Sequence, residues 1–256
     1  MKTRIDKLLV ERGLAPTRER AQAMILAGRV LVNEQKVEKA GAAVAEDSTL
    51  RILGEDLRYV SRGGLKLERA LDKWKIDCTN KTGLDVGAST GGFTDCLLQH
   101  GVSKVVAVDT GYGQIDARLR TDERVRLLEK TNARYLEPEQ LPEDVDLIVM
   151  DVSFISATLV LPAVLRAMRE GKPKRRRDLV LLIKPQFEVG REQVGKGGIV
   201  RDASAQAGAV AKVRSAVAEL GGEAIEVIDS PIQGTEGNKE FLLHAVFDSG
   251  AGNRTL

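Results

Sequence analysis

The stretch LDVGASTGGFTDCLL, residues 84–98, limits what this chain can fold into more than any other. Leu84 and Val86 close an apolar strand with Asp85 between them. Gly87, Gly91 and Gly92 let the backbone turn tightly, and Thr94 and Asp95 open a helix continued by Leu97 and Leu98. A glycine-rich loop at a helix N-terminus presents unpaired backbone N–H groups to a ligand. The spacing is G-x-x-x-G-G, which matches neither the G-x-G-x-x-G of dinucleotide sites nor the G-x-x-x-x-G-K-[ST] of a P-loop. A second strand, KVVAVDTG, ends at Asp109, about 20 residues past the loop, where an acidic residue binds ribose hydroxyls. Loop and acid together read as an adenosine-cofactor site on a doubly wound sheet. The loop alone also fits a plain tight turn.

The rest of the larger part of the chain agrees with that sheet. Residues 82–247 alternate apolar strands with helical segments: TGLDVG, KVVAVDTG, VRLLEKTN, VDLIVMDVSF, DLVLLIKPQF, AIEVIDS and EFLLHAVF. Such alternation implies a mostly parallel sheet covered by helices on both faces. Its ligands lie outside the carboxyl ends of the strands. Asp109, Asp151 and Lys184 each follow a nearly all-apolar strand at such an end, and Asn132 lies at a fourth, within reach of a cofactor's base. Pro185 stops the strand behind Lys184, and Phe154 in SFIS is placed to wall a pocket. An antiparallel last strand brings its beginning, with Glu240, beside Lys184. Asp151 and Lys184 are readable either as a structural ion pair or as functional groups. In an alternating Lys–Asp–Lys–Glu set, each charge is kept ionised by an opposite neighbour.

The N-terminal part differs in charge, counted over residues 1–76. They carry 16 Lys and Arg against 11 Asp and Glu, whereas the remainder carries 23 against 26. A basic arm on a nearly neutral body suggests a polyanion-facing surface. TRIDKLLVERG has helical spacing. A second helix follows, capped by Thr17, with Arg18 and Arg20 in its first turn and Gly28 at its end. RVLVNEQKVEKAG reads as a hairpin around Asn33, with Val30, Val32 and Val37 on one face. Arginines in a first helical turn oppose the helix dipole, which makes sense if they meet phosphate. A solvated basic face is the alternative.

In order, RIDKLL, GLAPTRERA, ILAGRVLVN and VEK resemble the S4-type RNA-binding domain over residues 3 to 53. The resemblance implies binding of structured RNA through Arg4, Arg18, Arg20, Arg29, Asn33 and Lys36. Residues 54–62 read as a linker, with Ser61 a cap for the helix GLKLERALDKW that carries Lys66. The set SRGGLK, DVGASTGGFT, DTGYGQ, TNAR, MDVSFIS, IKPQFEVG and GNKEF resembles the TlyA family, S4 domains joined to FtsJ-like methyltransferases and often labelled hemolysins. The match spans residues 3–247 in order. It implies an α/β fold, a class I (Rossmann-like) S-adenosylmethionine-dependent methyltransferase over 63–247, behind a small α+β S4 domain. It also implies a Lys-Asp-Lys-Glu tetrad for ribose 2′-O-methylation at Lys66, Asp151, Lys184 and Glu240, acting on a cytidine of 16S or 23S ribosomal RNA, or both. The cofactor S-adenosyl-L-methionine would be held by Asp85, by the loop Gly87, Ala88, Ser89, Thr90, Gly91, Gly92 and Phe93, and by Asp109, Asn132 and Asp151.

Composition bounds the alternatives. There is no apolar run near 18 residues, and MKTRIDKLLVERGL has no apolar core, so neither a membrane span nor a secretory signal is expected. Cys78 and Cys96 make no disulfide framework, and no His/Cys/carboxylate cluster suggests a metal. The expectations are a cytoplasmic monomer with ribosomal RNA or ribosomal subunits as partner, a basic loop at 171–178 available to RNA phosphate, a flexible Gly-rich loop at 191–202, and a disordered tail from 248. A direct membrane-lytic activity fits this composition poorly. A non-catalytic ribosome-assembly factor is the main alternative, and a nicotinamide oxidoreductase is set aside by the glycine spacing.

Overall fold

The computed structural model describes residues 2–53, 58–142, 144–169, 175–234 and 236–248. The tail from 249, residues 54–57 of the expected linker and residues 171–174 of the basic 171–178 loop lie outside the described residues. The chain divides into two compact units, Met1–Leu57 and Arg58–Leu256.

The first unit runs β1 (Lys2–Arg4), α1 (Ile5–Glu11), α2 (Arg18–Leu26), β2 (Val30–Val32), β3 (Gln35–Lys36), β4 (Ala43–Ala45) and β5 (Leu50–Ile52). Helical spacing from residue 3 held only from Ile5, because Lys2–Arg4 pair with Ala43–Ala45 instead. The expected hairpin is present. Leu31 faces Lys36 and Val32 faces Gln35, and both turn residues, Asn33 (φ 48°) and Glu34 (φ 65°), are left-handed, as a two-residue turn matched to strand twist requires. Thr17 caps α2 by accepting from the backbone of Arg20 at 3.2 Å. Ile5, Leu9, Ala21, Met24, Ile25 and Val30 form the core, with Val32 and Val37 packed against it.

The second unit contains α3 (Gly63–Trp74), β6 (Thr82–Val86), α4 (Gly92–Gln99), β7 (Lys104–Val108), α5 (Ala117–Arg120), β8 (Val125–Leu128), β9 (Val145–Met150), α6 (Ala157–Arg169), β10 (Arg176–Ile183), α7 (Pro185–Glu188), α8 (Ala203–Glu219), β11 (Glu223–Asp229) and β12 (Phe241–Asp248). Every strand anticipated from the apolar runs is there. The sheet order is β11-β12-β10-β9-β6-β7-β8. β6 to β10 are parallel and β12 is antiparallel to both its neighbours. The mixed sheet buries one core on each face, around Leu84, Ile148 and Leu181 and around Leu97, Val149 and Val180.

Chain order reverses at β6, which lies between β9 and β7, so the crevice beyond its carboxyl end is the topological switch point at which such sheets bind ligands. One local expectation fails. Ser61 does not cap α3; Arg62 is the N-cap residue, without a side-chain cap, and Ser61 instead accepts from the backbone of Gly64 through its carbonyl at 3.2 Å.

Candidate active site

Asp151 directly follows β9 and Lys184 directly follows β10, neighbouring parallel strands in register at Leu181 and Met150. Ile183 pairs with Phe241 in the antiparallel β12, which sets Glu240 at the same end of the sheet. Lys66 reaches this point from α3. The four charges resolve into two ion pairs. Lys66 Nζ lies 2.5 Å from Glu240 Oε2, with both residues buried, and Lys184 Nζ lies 2.6 Å from Asp151 Oδ1. Lys184 also donates to Ser153 Oγ at 2.7 Å. All four tetrad residues line one cavity of about 290 Å3, together with Ser61, Arg62, Ser153 and the Gly87–Phe93 loop.

An adjoining cavity of about 400 Å3 shares Gly87, Ser89, Asp151 and Ser153 with the first and extends over the ends of β6, β7 and β8. Its floor is apolar, with Val86, Val108, Ala133 and Val160, and its polar groups include Asp109, Gln114 and Asn132. Asp109 accepts from Ser89 N at 2.8 Å and Gly111 N at 2.7 Å. A carboxylate has about four acceptor positions, so capacity remains for a vicinal diol. Asn132 accepts from Arg134 N at 3.1 Å, which fixes its amide.

Asp85 occupies a different position from the other expected cofactor ligands. It is fully buried in mid-sheet, accepting from Thr94 Oγ1 at 2.6 Å through one oxygen while the other has no partner. Burial pushes its carboxyl up to about 7, against the opposing Thr94 bond and with help from the charges of Asp151 and Asp109. Because the unfolded carboxyl releases its proton near 4, the folded ligand-free protein binds the proton more tightly. Its stability therefore declines as pH rises from about 4 through 7. Asp85→Asn is expected to remove a decline of about 2–3 kcal/mol between pH 5 and 8, read by urea denaturation of both proteins at each pH.

Sequence reasoning did not find Ser153, Arg62, Gln186 or Phe187. They are single polar or aromatic residues on turns, with no periodicity to mark them. Gln186 and Phe187 sit on α7, beside Lys184. Glu188, which ends α7, is buried and reaches across to the loop after β9. It accepts from Ala157 N at 2.7 Å and from Ser156 Oγ at 2.5 Å, and Lys212 lies 3.3 Å from it.

In the first unit the buried Asp6 is a hub. Arg4 binds it with two donors, at 3.0 and 2.8 Å. Arg18 adds a third bond at 3.1 Å and Gln22 a fourth at 2.9 Å. Hydrogen bonding from Arg4 holds the Asp6 carboxyl far below its usual range. Arg4 and Arg18 nonetheless keep half of their side-chain surface exposed, so one buried anion holds two guanidinium groups at the surface. Arg29 is half-buried and donates to Leu53 O at 2.9 Å. Asn33 accepts from Thr49 N at 2.9 Å, while Lys36 is exposed on β3.

Residues 59–247 match the FtsJ-like methyltransferase family and residues 3–50 the S4 domain. The chain belongs to the FtsJ-like methyltransferases, in their S4-bearing TlyA group. Over 94% of its length it is 45% identical to the 16S/23S rRNA (cytidine-2′-O)-methyltransferase TlyA of Mycobacterium tuberculosis, 89% of which is covered. Over 95% of its length it is 39% identical to Hemolysin A of Brachyspira hyodysenteriae, covering 99% of that protein. A solved structure from Streptococcus thermophilus that carries a hemolysin name superposes with a TM-score of 0.73 at 42% identity, covering 96% of this chain and 89% of that one. Among the described residues no helix of this FtsJ-like enzyme is long and apolar enough to cross a membrane.

Proposed function

We propose that this methyltransferase moves the methyl group of S-adenosylmethionine to the ribose 2′-oxygen of a cytidine in ribosomal RNA. The observation that carries this reading is the meeting of Lys66–Glu240 and Lys184–Asp151 in one cavity beside a nucleoside-sized one. The naming of a TlyA relative as a 16S/23S rRNA (cytidine-2′-O)-methyltransferase supports the substrate. A ribosomal substrate implies work in the cytoplasm.

The cofactor fits what the chain offers. Asp109 would take the ribose diol, Asn132 and the apolar floor the adenine, and the Gly87–Phe93 loop the methionine end, with the unpartnered Asp85 oxygen beneath. The bound sulfonium supplies a methyl already activated towards nucleophiles. The chain's own task is therefore to align the 2′-hydroxyl in line and help it lose its proton. Lys184 would contact the 2′-oxygen as base or as a positive charge, aimed by Asp151 and Ser153. Lys66, neutralised by Glu240, would set the opposite wall. A third cavity, of about 310 Å3, shares Ser153, Lys184 and Glu240 with the tetrad cavity. Its walls include Phe154, which is 92% exposed, and Phe187, with ring centroids 5.3 Å apart. Exposed aromatic faces suit a nucleobase splayed out of its stack. In the first unit, the Asp6-held pair Arg4 and Arg18, with Arg20, Arg29, Asn33 and Lys36, would supply phosphate contacts.

Tritiated methyl transfer onto unmodified 16S and 23S rRNA, presented as ribosomal subunits, tests the proposal. Label on a cytidine ribose is the expected result. Label on a base, or none on either RNA from a protein that binds the cofactor, would overturn it in favour of another acceptor or an assembly role.

A further inference from the structure

Five charged residues line the tetrad cavity: Arg62, Lys66, Asp151, Lys184 and Glu240. Four of them cancel in two ion pairs, Lys66 with Glu240 and Lys184 with Asp151. Arg62 is the remainder. It makes no hydrogen bond or ion pair among the described residues, and it is exposed. A lone exposed arginine is ordinarily solvated, but this one lines a cavity whose other charges sum to zero. Its backbone is held on both sides. Val60 N donates to Asp95 Oδ2 at 2.8 Å, and Leu65 N donates to Arg62 O at 3.2 Å. The segment also lies directly on the cofactor loop, since a Cβ added to Gly92 would run into Ser61 Oγ and lie 3.0 Å from Gly64 N. The arginine stem therefore rises from a fixed base.

The functional reading above, on which this inference rests, brings two anions to the cavity. The methionine carboxylate of the cofactor is met by N–H groups of the Gly87–Phe93 loop. The other anion arrives with the acceptor. In RNA the carbon next to the one bearing the 2′-hydroxyl carries the 3′-phosphodiester, so that phosphate comes wherever the 2′-oxygen goes. The two balanced ion pairs offer it no net charge, and an anion taken from water without a counter-charge is costly. A guanidinium supplies the charge together with two parallel N–H donors in the geometry that phosphate oxygens accept. We propose that Arg62 is a further substrate-binding residue: its guanidinium holds the phosphodiester on the 3′ side of the acceptor ribose and so aligns the 2′-oxygen with Lys184.

The test compares wild type, Arg62→Gln and Arg62→Lys on unmodified ribosomal subunits. Arg62→Gln is expected to lower kcat/KM for the RNA on the order of 10–100-fold, the range of a lost charge-assisted hydrogen bond. Part of that loss should persist as a slower single-turnover rate at saturating RNA, because the contact aligns the acceptor. The log–log dependence of RNA affinity on salt should flatten by about 0.7–0.9, one phosphate contact. Arg62→Lys, which keeps the charge and loses the fork, should keep the wild-type salt slope with an intermediate rate. Calorimetric affinity for S-adenosylmethionine should stay within about 3-fold of wild type in both variants. Unchanged kcat/KM or an unchanged salt slope in Arg62→Gln overturns the assignment alone. So does a loss confined to KM, which places the phosphate away from the acceptor, or a fall in cofactor affinity as large as that in kcat/KM, which gives the guanidinium to the cofactor's carboxylate. Absence of ribose methylation by wild type on every rRNA overturns the functional reading and the assignment together.

Discussion

Lys184→Ala is expected to lower methyl transfer by at least about 10³-fold, within the range that positioned proton-transfer and charge-stabilising groups contribute. Affinity for S-adenosylmethionine should stay within about 3-fold of wild type, because Lys184 lines the tetrad cavity and the third cavity but not the one assigned to adenosine. Single-turnover transfer and calorimetric cofactor titration check the two halves separately. Lys184→Arg divides the role. Arginine keeps the charge opposite Asp151 and cannot act as a base at neutral pH. Substantial residual activity in that variant assigns Lys184 to charge stabilisation, and loss equal to that of alanine assigns it to proton removal. Lys66 and Glu240 are poorer probes. They form a buried pair, and removing one partner costs about 3–5 kcal/mol by leaving the other charge uncompensated, so folding and catalysis fail together.

Gly87→Ala is expected to have the other large effect, by a steric route. Gly87 adopts φ 88°, and an added Cβ would lie 2.5 Å from the carbonyl oxygen of Asp151 and 3.3 Å from Val152 Cα. Both obstacles are backbone, and Asp151 N is bonded to Val86 O at 2.9 Å, so relief requires the ends of β6 and β9 to part. Overpacking and left-handed strain together should cost about 2–4 kcal/mol. The same displacement would carry Asp151 away from Lys184 and deform the cofactor loop. Chemical denaturation and cofactor titration should therefore both change, with transfer falling more than stability alone accounts for. Gly113→Ala is the control. Its φ is 71° with nothing within 4 Å of the added carbon, so it should lose only about 1 kcal/mol of backbone strain.

The sheet was legible because its strands are apolar runs bounded by glycine and charge, and the residue after such a run is necessarily at a strand end. Asp151 and Lys184 were located by that rule, and Glu240 by reading the last strand as antiparallel, so that its beginning lies at the same end. Lys66 was not; a lysine on an amphipathic helix looks solvated, and only the TlyA resemblance singled it out. The pairing itself was also unreadable. An alternating row of four charges does not say that Lys66 takes Glu240 and Lys184 takes Asp151, which depends on side-chain reach at one end of the sheet. Three-residue strands such as Ala43–Ala45 and Leu50–Ile52 are too short for periodicity to register. The strand character of Lys2–Arg4 comes from a partner some 40 residues away, against its own helical spacing. Ser61 had the right chemistry for a cap, but α3 begins one residue later than that role requires.

The antiparallel β12 has a consequence for how the enzyme comes into being. Lys66 and its partner Glu240 are 174 residues apart in the chain. At about 5–20 residues per second, a ribosome needs on the order of ten seconds or more to pass from one to the other. Late in that interval the cofactor loop, Asp109 and the Lys184–Asp151 pair exist as sequence, while the strand that closes the tetrad does not. Its insertion between β10 and β11 is a late step in assembling the sheet. Nascent chains still attached to a ribosome, within reach of abundant rRNA, would thus lack the complete catalytic set until β12 has been made.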